Sequence, residues 1–376
     1  MADRISGTDR SEEPGAGVTA NAVGRPFRSR SRAFRSLAVA AAALAAVGCA
    51  GREPKARPTV LVTATTPEPE LLTHEVAERE FRAFITNDDV ARAAGDERLA
   101  LTWTSDGQSQ LTAAEFRKAA YDGDPVARYQ YGEPRLLVPK LKLDIYPHWF
   151  VAVVPRSVQG KPKSTRTALM TFIRRGPGDR WRLCMTAELL PDAELPKITV
   201  DDDGYATALN VADTSMLIRP REVPGIQATI ASEGPRSVAR KVMKAGKYTT
   251  GYYSEVRKAK RKAEDKDLSL QKVTVATPFP IFALRTQDDG GLILYSLARN
   301  SLLTVKDKKS GAKPPIPPEA AHLLDGTVEG TDITMAELYQ FAAIDPPRSK
   351  KGKAKADIIA QAGSISKAST PPPRNS

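Results

Sequence analysis

Histidine is scarce: His74, His148 and His322 are the three in a chain of 376 residues, and none has a second histidine or a cysteine at ligand spacing. Zinc normally takes three or four such side chains, so each histidine reads as a surface or helix-end residue. Nucleophile elbows of the Gly-x-Ser-x-Gly type and phosphate loops of the Gly-x-x-x-x-Gly-Lys type are missing, which argues against hydrolase and nucleotide chemistry on those patterns. Long apolar runs are missing too. The run Leu37 to Val47 holds eleven residues, short of the roughly 20 that a helix needs to cross about 30 Å of hydrocarbon. No cofactor, metal or nucleic-acid partner is implied.

That short run is informative because of what flanks it. Arg25, Arg28, Arg30, Arg32 and Arg35 precede it, and Gly48, Cys49, Ala50 and Gly51 follow. Basic, apolar, then small is the order of a secretory signal. The stretch Ala46-Val47-Gly48-Cys49 resembles the lipobox of bacterial lipoproteins, in which the cysteine is lipidated and the preceding segment removed. The resemblance implies a signal peptide over 1–48, lipidation at Cys49, and a protein exported and anchored to the outer face of the cytoplasmic membrane. It also implies that Cys184, the other cysteine, has no partner for an intramolecular disulfide.

Removing residues 1–48 takes away seven arginines and four acidic residues and lowers the net charge from +12 to +9. Basicity outside the cytoplasm points to anionic lipid or cell-wall polymer as partners before nucleic acid. The remaining length favours two domains: a lipidated tether over 49–70, an α+β domain over 71–195, a linker over 196–214, a second α+β domain over 215–366, and a disordered tail over 367–376. The tether contains Val60 to Thr65 as a short strand.

In the first half, Ala77, Phe81, Phe84 and Ile85 fall on one helical stripe after Thr73, predicting a helix to about Ile85 and a short second one over Val90 to Ala94. Leu99 to Thr104 reads as a strand. Thr112 and Glu115 form a capping-box pattern with Leu111 and Phe116 as its staple, predicting a helix that starts there. Trp149 to Val154, Thr167 to Arg174 and Arg180 to Glu188 read as strands, the last two flanking the turn Gly176 to Asp179. Helices followed by a curved antiparallel sheet resemble the cone of nuclear-transport-factor-2-like and cystatin-like domains.

In the second half, Pro235 to Met243 suggests a helix. Pro280 to Thr286 and Leu292 to Leu297 suggest a hairpin closed by Asp288 to Gly291. Ile333 to Leu338 repeats the capping pattern of Leu111 to Phe116, predicting a second capped helix and raising the question of an internal duplication. Ala356 to Ala360 reads as a last strand. Lys351, Lys353 and Lys355 read as a charged sheet edge. The layout of signal, proline-bearing tether and two α+β halves, with stretches such as Phe279 to Thr286, resembles uncharacterised lipoproteins of high-GC actinobacteria; no activity comes with that resemblance.

Candidate sites are few. The basic run Arg257, Lys258, Lys260, Arg261 and Lys262, with Tyr248, Tyr252 and Tyr253 upstream, is a candidate face for anionic surfaces. The competing reading is a solvated helix with Lys260–Glu264 and Arg261–Asp265 pairs. Asp88, Asp89, Tyr121, Asp122 and Asp144 are the acids and tyrosine a cone-shaped acid–base enzyme would draw on. Cys184 reads as a buried structural thiol, and Asp201 to Gly204 as a polar turn. The leading expectation is a non-enzymatic binding module of the envelope; the alternatives are that cavity enzyme and an adaptor docking on anionic lipid or wall polymer.

Overall fold

The computed structural model describes residues 70–349 and 354–371, all within one compact unit, Ala64–Ser376. The signal segment, Cys49, the tether up to residue 69 with its candidate strand, Lys351, Lys353 and the end of the tail from residue 372 lie outside the described residues. Among the described residues the architecture is α+β: five α-helices and short 3-10 turns around a ten-stranded sheet whose ladders are antiparallel.

Helix α1 (His74–Ala94) starts where Thr73 accepts a hydrogen bond from the Val76 N–H at 3.2 Å, and stops at Gly95 with φ +65°. Its buried stripe of Ala77, Phe81 and Phe84 does not end near Ile85. It continues through Asp88 and Arg92, a buried ion pair, so charged residues occupy core positions and hide the helix from a hydrophobicity pattern. The expected strand over Leu99 to Thr104 is instead helix α2 (Glu97–Thr102), capped by Asp96, whose side chain accepts from the Leu99 N–H. Helix α3 (Asp106–Asp122) follows Ser105 and begins six residues before the expected capping box. Thr112 lies inside it, 1% exposed, and Glu115 turns outward to Arg92 rather than back to a helix end.

Strands β1 (Tyr129–Tyr131), β2 (Arg135–Leu137), β3 (His148–Val158), β4 (Lys161–Arg174) and β5 (Arg182–Leu189) make the first part of the sheet. One face, with Phe150, Ala152, Met170 and Phe172, packs under α1. After β5 come helix α4 (Val223–Glu233) and helix α5 (Thr250–Glu264). The expected helix over Pro235 to Met243 is two 3-10 turns, Gly234–Arg236 and Val238–Lys241. Strands β6 (Leu268–Ala276), β7 (Phe282–Arg285), β8 (Gly291–Val305), β9 (Asp332–Asp345) and β10 (Asp357–Ser369) complete the sheet, with β7 and β8 forming the expected hairpin.

The second capped helix is absent. Ile333, Met335, Glu337, Tyr339 and Phe341 are alternate residues of β9, opposite Leu303, Ser301, Arg299, Leu297 and Tyr295 of β8. Fourteen paired positions along β8 outweigh the local helical preference of Met335-Ala336-Glu337-Leu338, and the duplication falls with that helix.

The strand order is β1-β3-β4-β5-β10-β9-β8-β6, with β2 added to β3 and β7 to β8. The two halves therefore share one sheet, joined at β5 and β10 through Leu189–Ala360 and Glu188–Gln361. They share a core as well. Trp149 of β3 and Phe282 of β7 lie far apart in the strand order, yet their rings are 5.1 Å apart, so the sheet curls and its inner face closes on itself. Residues 196–214, expected as a separating linker, run beside β7: Thr199 N–H donates to Arg285 and Leu209 N–H to Ala283, and Ile198, Ala206 and Leu209 are buried. Between the halves, buried Gln340 accepts from the Thr186 N–H at 2.9 Å and donates to the Cys184 carbonyl at 3.4 Å.

Candidate functional site

Two buried arginines organise the polar interior. In the first half, Arg92 Nε donates to Asp88 at 2.7 Å, its terminal nitrogens grip both oxygens of Glu115 at 2.9 and 3.1 Å, and Nη1 also reaches the Ala127 carbonyl. Its guanidinium lies 4.6 Å from the Tyr129 ring. Burial raises the Asp88 carboxyl against the pull of Arg92. Burial above all, with Glu115 adding to it, pushes Tyr129 up to about 12. In the second half, Arg299 of β8 donates to Glu255 of α5 at 2.9 Å, pairs with Glu337 of β9 at 3.3 Å, and stacks on Tyr252 at 4.1 Å. Glu337 also binds Lys272 and accepts from the Tyr339 hydroxyl.

A cleft of about 520 Å³ brings these two clusters to one surface. Glu115 and Lys118 of α3 line one wall, Glu255 of α5 another, and Lys272, Glu337 and Tyr339 the floor. The 3-10 helix Pro318–Leu323 contributes Glu319 and His322. On β10, Gly363 faces Tyr339, and a Cβ there would run into the Leu338 carbonyl and the Tyr339 backbone, which lets the strands close beneath the cleft.

Beside α5 lies a groove of about 870 Å³ lined by Arg257, Lys258, Arg261, Lys262 and Arg236, with Glu233, which accepts from the Ser237 hydroxyl, as its one acidic residue. Spacing of three and four residues places the four α5 cations on one stripe; all five cations are exposed, and none makes an ion pair among the described residues. Tyr253 packs flat on Gly234, which has φ +75° and no space for a Cβ, and its ring lies 5.8 Å from Arg257. Lys260 is exposed but does not line the groove. Neither a Lys260–Glu264 nor an Arg261–Asp265 ion pair forms among the described residues.

The acid–base set does not converge. Asp88 is tied to Arg92, Asp89 to Arg128 at 2.6 Å, and Asp122 to Lys118, while Tyr121 is 51% exposed and Asp144 is exposed. The expectation of surface or helix-end histidines fits His74, the first residue of α1. It fits His322 too, in the last turn of the 3-10 helix Pro318–Leu323 though only 8% exposed, but not His148, which is fully buried at the start of β3 and bonded to the Lys142 carbonyl at 2.9 Å. Cys184 is buried, its Sγ donates to the Thr171 carbonyl, and burial pushes its thiol well up. Asp201 closes its turn by accepting from the Asp203 and Tyr205 N–H groups. Among the described residues no cluster of three or more metal-ligating side chains occurs, and no helix is long and apolar enough to cross a membrane.

Sequence reasoning missed Glu255, Glu319, Glu337 and Arg236. Alternation along Asn300-to-Leu297 and Leu338-to-Ala336 would have exposed Arg299 and Glu337 as facing residues only if β9 had been read as a strand.

Residues 68–369 match the family described as a domain of unknown function, DUF8094. The chain is 22% identical over 289 residues to an uncharacterised lipoprotein of Streptomyces avermitilis, spanning 72% of this chain and 78% of that protein. Two uncharacterised lipoproteins of Streptomyces coelicolor are 23% and 25% identical, spanning 86% and 67% of this chain and 92% and 72% of their own length. No solved structure matches the chain.

Proposed function

Since the chain belongs to the DUF8094 family of uncharacterised actinobacterial lipoproteins, we propose that it is an exported binding module, held by a lipid on Cys49, that docks the basic groove of α5 on anionic membrane lipid. The observation that carries this reading is the convergence of Arg236, Arg257, Lys258, Arg261 and Lys262 on one groove without ion-pair partners among the described residues. A cation near an anionic membrane surface contributes about 1 kcal/mol, so five contribute about 5 kcal/mol at low salt. Val238, two residues beyond Arg236, is 74% exposed and supplies an apolar tip beside the charges.

Membrane rather than wall polymer is favoured by reach. Twenty residues separate Cys49 from Glu70, and a chain of that length spans at most about 70 Å. A lipid anchor would hold Glu70 within that reach of the membrane and make docking an intramolecular event.

The test uses the unlipidated mature chain with vesicles containing phosphatidylglycerol or phosphatidylcholine alone. Binding is expected only to the former, and should weaken as salt shortens the screening length to about 8 Å. Changing Lys258, Arg261 and Lys262 to Glu should abolish it, while Lys260→Glu should have a smaller effect. Undiminished binding by the triple variant would remove the groove from the function.

A further inference from the structure

The cleft between α3, α5 and the 3-10 helix Pro318–Leu323 contains two polar groups that the fold leaves unused. His322 is 8% exposed, lines the cleft, and has no hydrogen-bond partner among the described residues. Burial and the nearby Lys118 and Arg117 keep its pKa below the ordinary value, against Asp122, so the imidazole is neutral at pH 7 and offers a nitrogen acceptor. Glu319 precedes it by three residues, and the 3-10 helix repeats every three, so both side chains share one side. Glu319 is exposed and has no ion pair among the described residues.

The other charges of the cleft are matched. Glu115 is held by Arg92, Glu255 by Arg299, Glu337 by Arg299 and Lys272, and Lys118 by Asp122. What remains is one carboxylate beside a neutral imidazole acceptor. That pair suits a cation with several N–H donors. A bare metal ion is a poorer fit, because no three metal-ligating side chains gather among the described residues. The volume of about 520 Å³ falls within the range of about 300–1,000 Å³ seen for small-molecule sites.

We infer that this cleft binds a small organic cation carrying a primary ammonium group, which donates to the Glu319 carboxylate and to a ring nitrogen of His322. The site is separate from the basic groove and does not depend on the membrane-docking reading.

The experiment follows the His322 ring resonances of the unlipidated mature chain by NMR at pH 7 and physiological salt, assigned with a His322→Gln variant. The probes are 1,4-diaminobutane and glucosamine, with 1,4-butanediol and glucose as their uncharged counterparts. A saturable shift is expected with at least one amine and with neither neutral compound. Glu319→Gln, an exposed substitution, should weaken that affinity about 10- to 100-fold without moving the thermal midpoint. No response to either amine, an equal response to the neutral counterparts, or parental affinity in Glu319→Gln would each overturn the inference.

Discussion

Arg92 and Arg299 are the same device built twice, one in each half, with opposite outcomes. Each is a buried guanidinium between two carboxylates and stacked on tyrosine. Around Arg92 every guanidinium nitrogen has an acceptor, and Asp88 is as buried as the arginine itself. Around Arg299 the Nε has no acceptor, the Tyr252 hydroxyl beside it has none, and the side chain of Glu255 is 54% exposed. The first cluster holds α1, α3 and β1 together and reaches the cleft only through Glu115. The second opens toward the cleft. Burying a charge is tolerable only when partners replace water, and removing one partner hurts most where water cannot return.

Arg92→Met should therefore cost the most. It strands the Asp88 carboxylate in the core and leaves Glu115 without its bidentate partner, and a loss of about 3–5 kcal/mol is expected in urea denaturation. A loss no larger than that of Arg299→Met would break the comparison.

The second test uses pH. Asp345 of β9 is fully buried, one oxygen accepting from the Ile218 N–H at 2.9 Å and the other unpartnered. Burial raises its pKa to about 7, opposed by the Ile218 N–H and Arg348. Because the folded value lies above the unfolded one of about 3.9, the folded state holds the proton longer. Its contribution is fully present below about pH 4 and is lost as pH rises toward about 7, up to about 4 kcal/mol in all. Asp345→Asn keeps an acceptor for Ile218 and should flatten that slope. Asp88 leans the same way with Arg92 opposing, so a slope that survives Asp345→Asn would move the pH sensitivity to the first half.

Gln340→Leu tests whether the halves are one body. It removes the acceptor of the buried Thr186 N–H, and a cost of about 1–3 kcal/mol is expected with a single cooperative transition, since the core around Trp149 and Phe282 still spans both halves. Two separated transitions would show that the halves fold as independent domains.

Arg299→Met should have the smallest effect, about 1 kcal/mol or less. Glu255 returns to water, Glu337 keeps Lys272 and the Tyr339 hydroxyl, and methionine packs on the tyrosines, as replacement of buried ion pairs by apolar groups often allows. A loss above about 3 kcal/mol would make the two clusters equivalent.

Elements whose signal lies in neighbouring residues were legible. Thr73 with the stripe Ala77, Phe81 and Phe84 marks the start of α1, Asp288 to Gly291 marks the β7–β8 hairpin, and the continuous apolar run Trp149 to Val154 marks β3. Elements decided by distant partners were not. Met335 to Leu338 has the composition of a helix and becomes strand because β8 is already there to pair with it. Asp88 and Arg92 interrupt an apolar stripe and extend the helix because Glu115, 23 positions after Arg92, completes their ion pairs. Of the candidate sites, the basic stripe of α5 was readable because charge spacing along a helix is a local property. The cleft was not, since Glu115, Glu255, Glu337 and the pair Glu319 and His322 come from four separate elements.

The sequence by itself determined the α+β class, the kinship with actinobacterial lipoproteins and the order of basic, apolar and small residues that ends at Cys49, all properties of composition and of residues near one another in the chain. Only the tertiary structure decided that residues 196–214 pair beside β7, that the two halves share a sheet and a core, and that one buried arginine finds an acceptor for every nitrogen while the other leaves its Nε without one. Those outcomes depend on which long-range hydrogen bonds and buried charges find partners, and the free energy of such a contact belongs to the pair brought together, not to either residue's place in the chain.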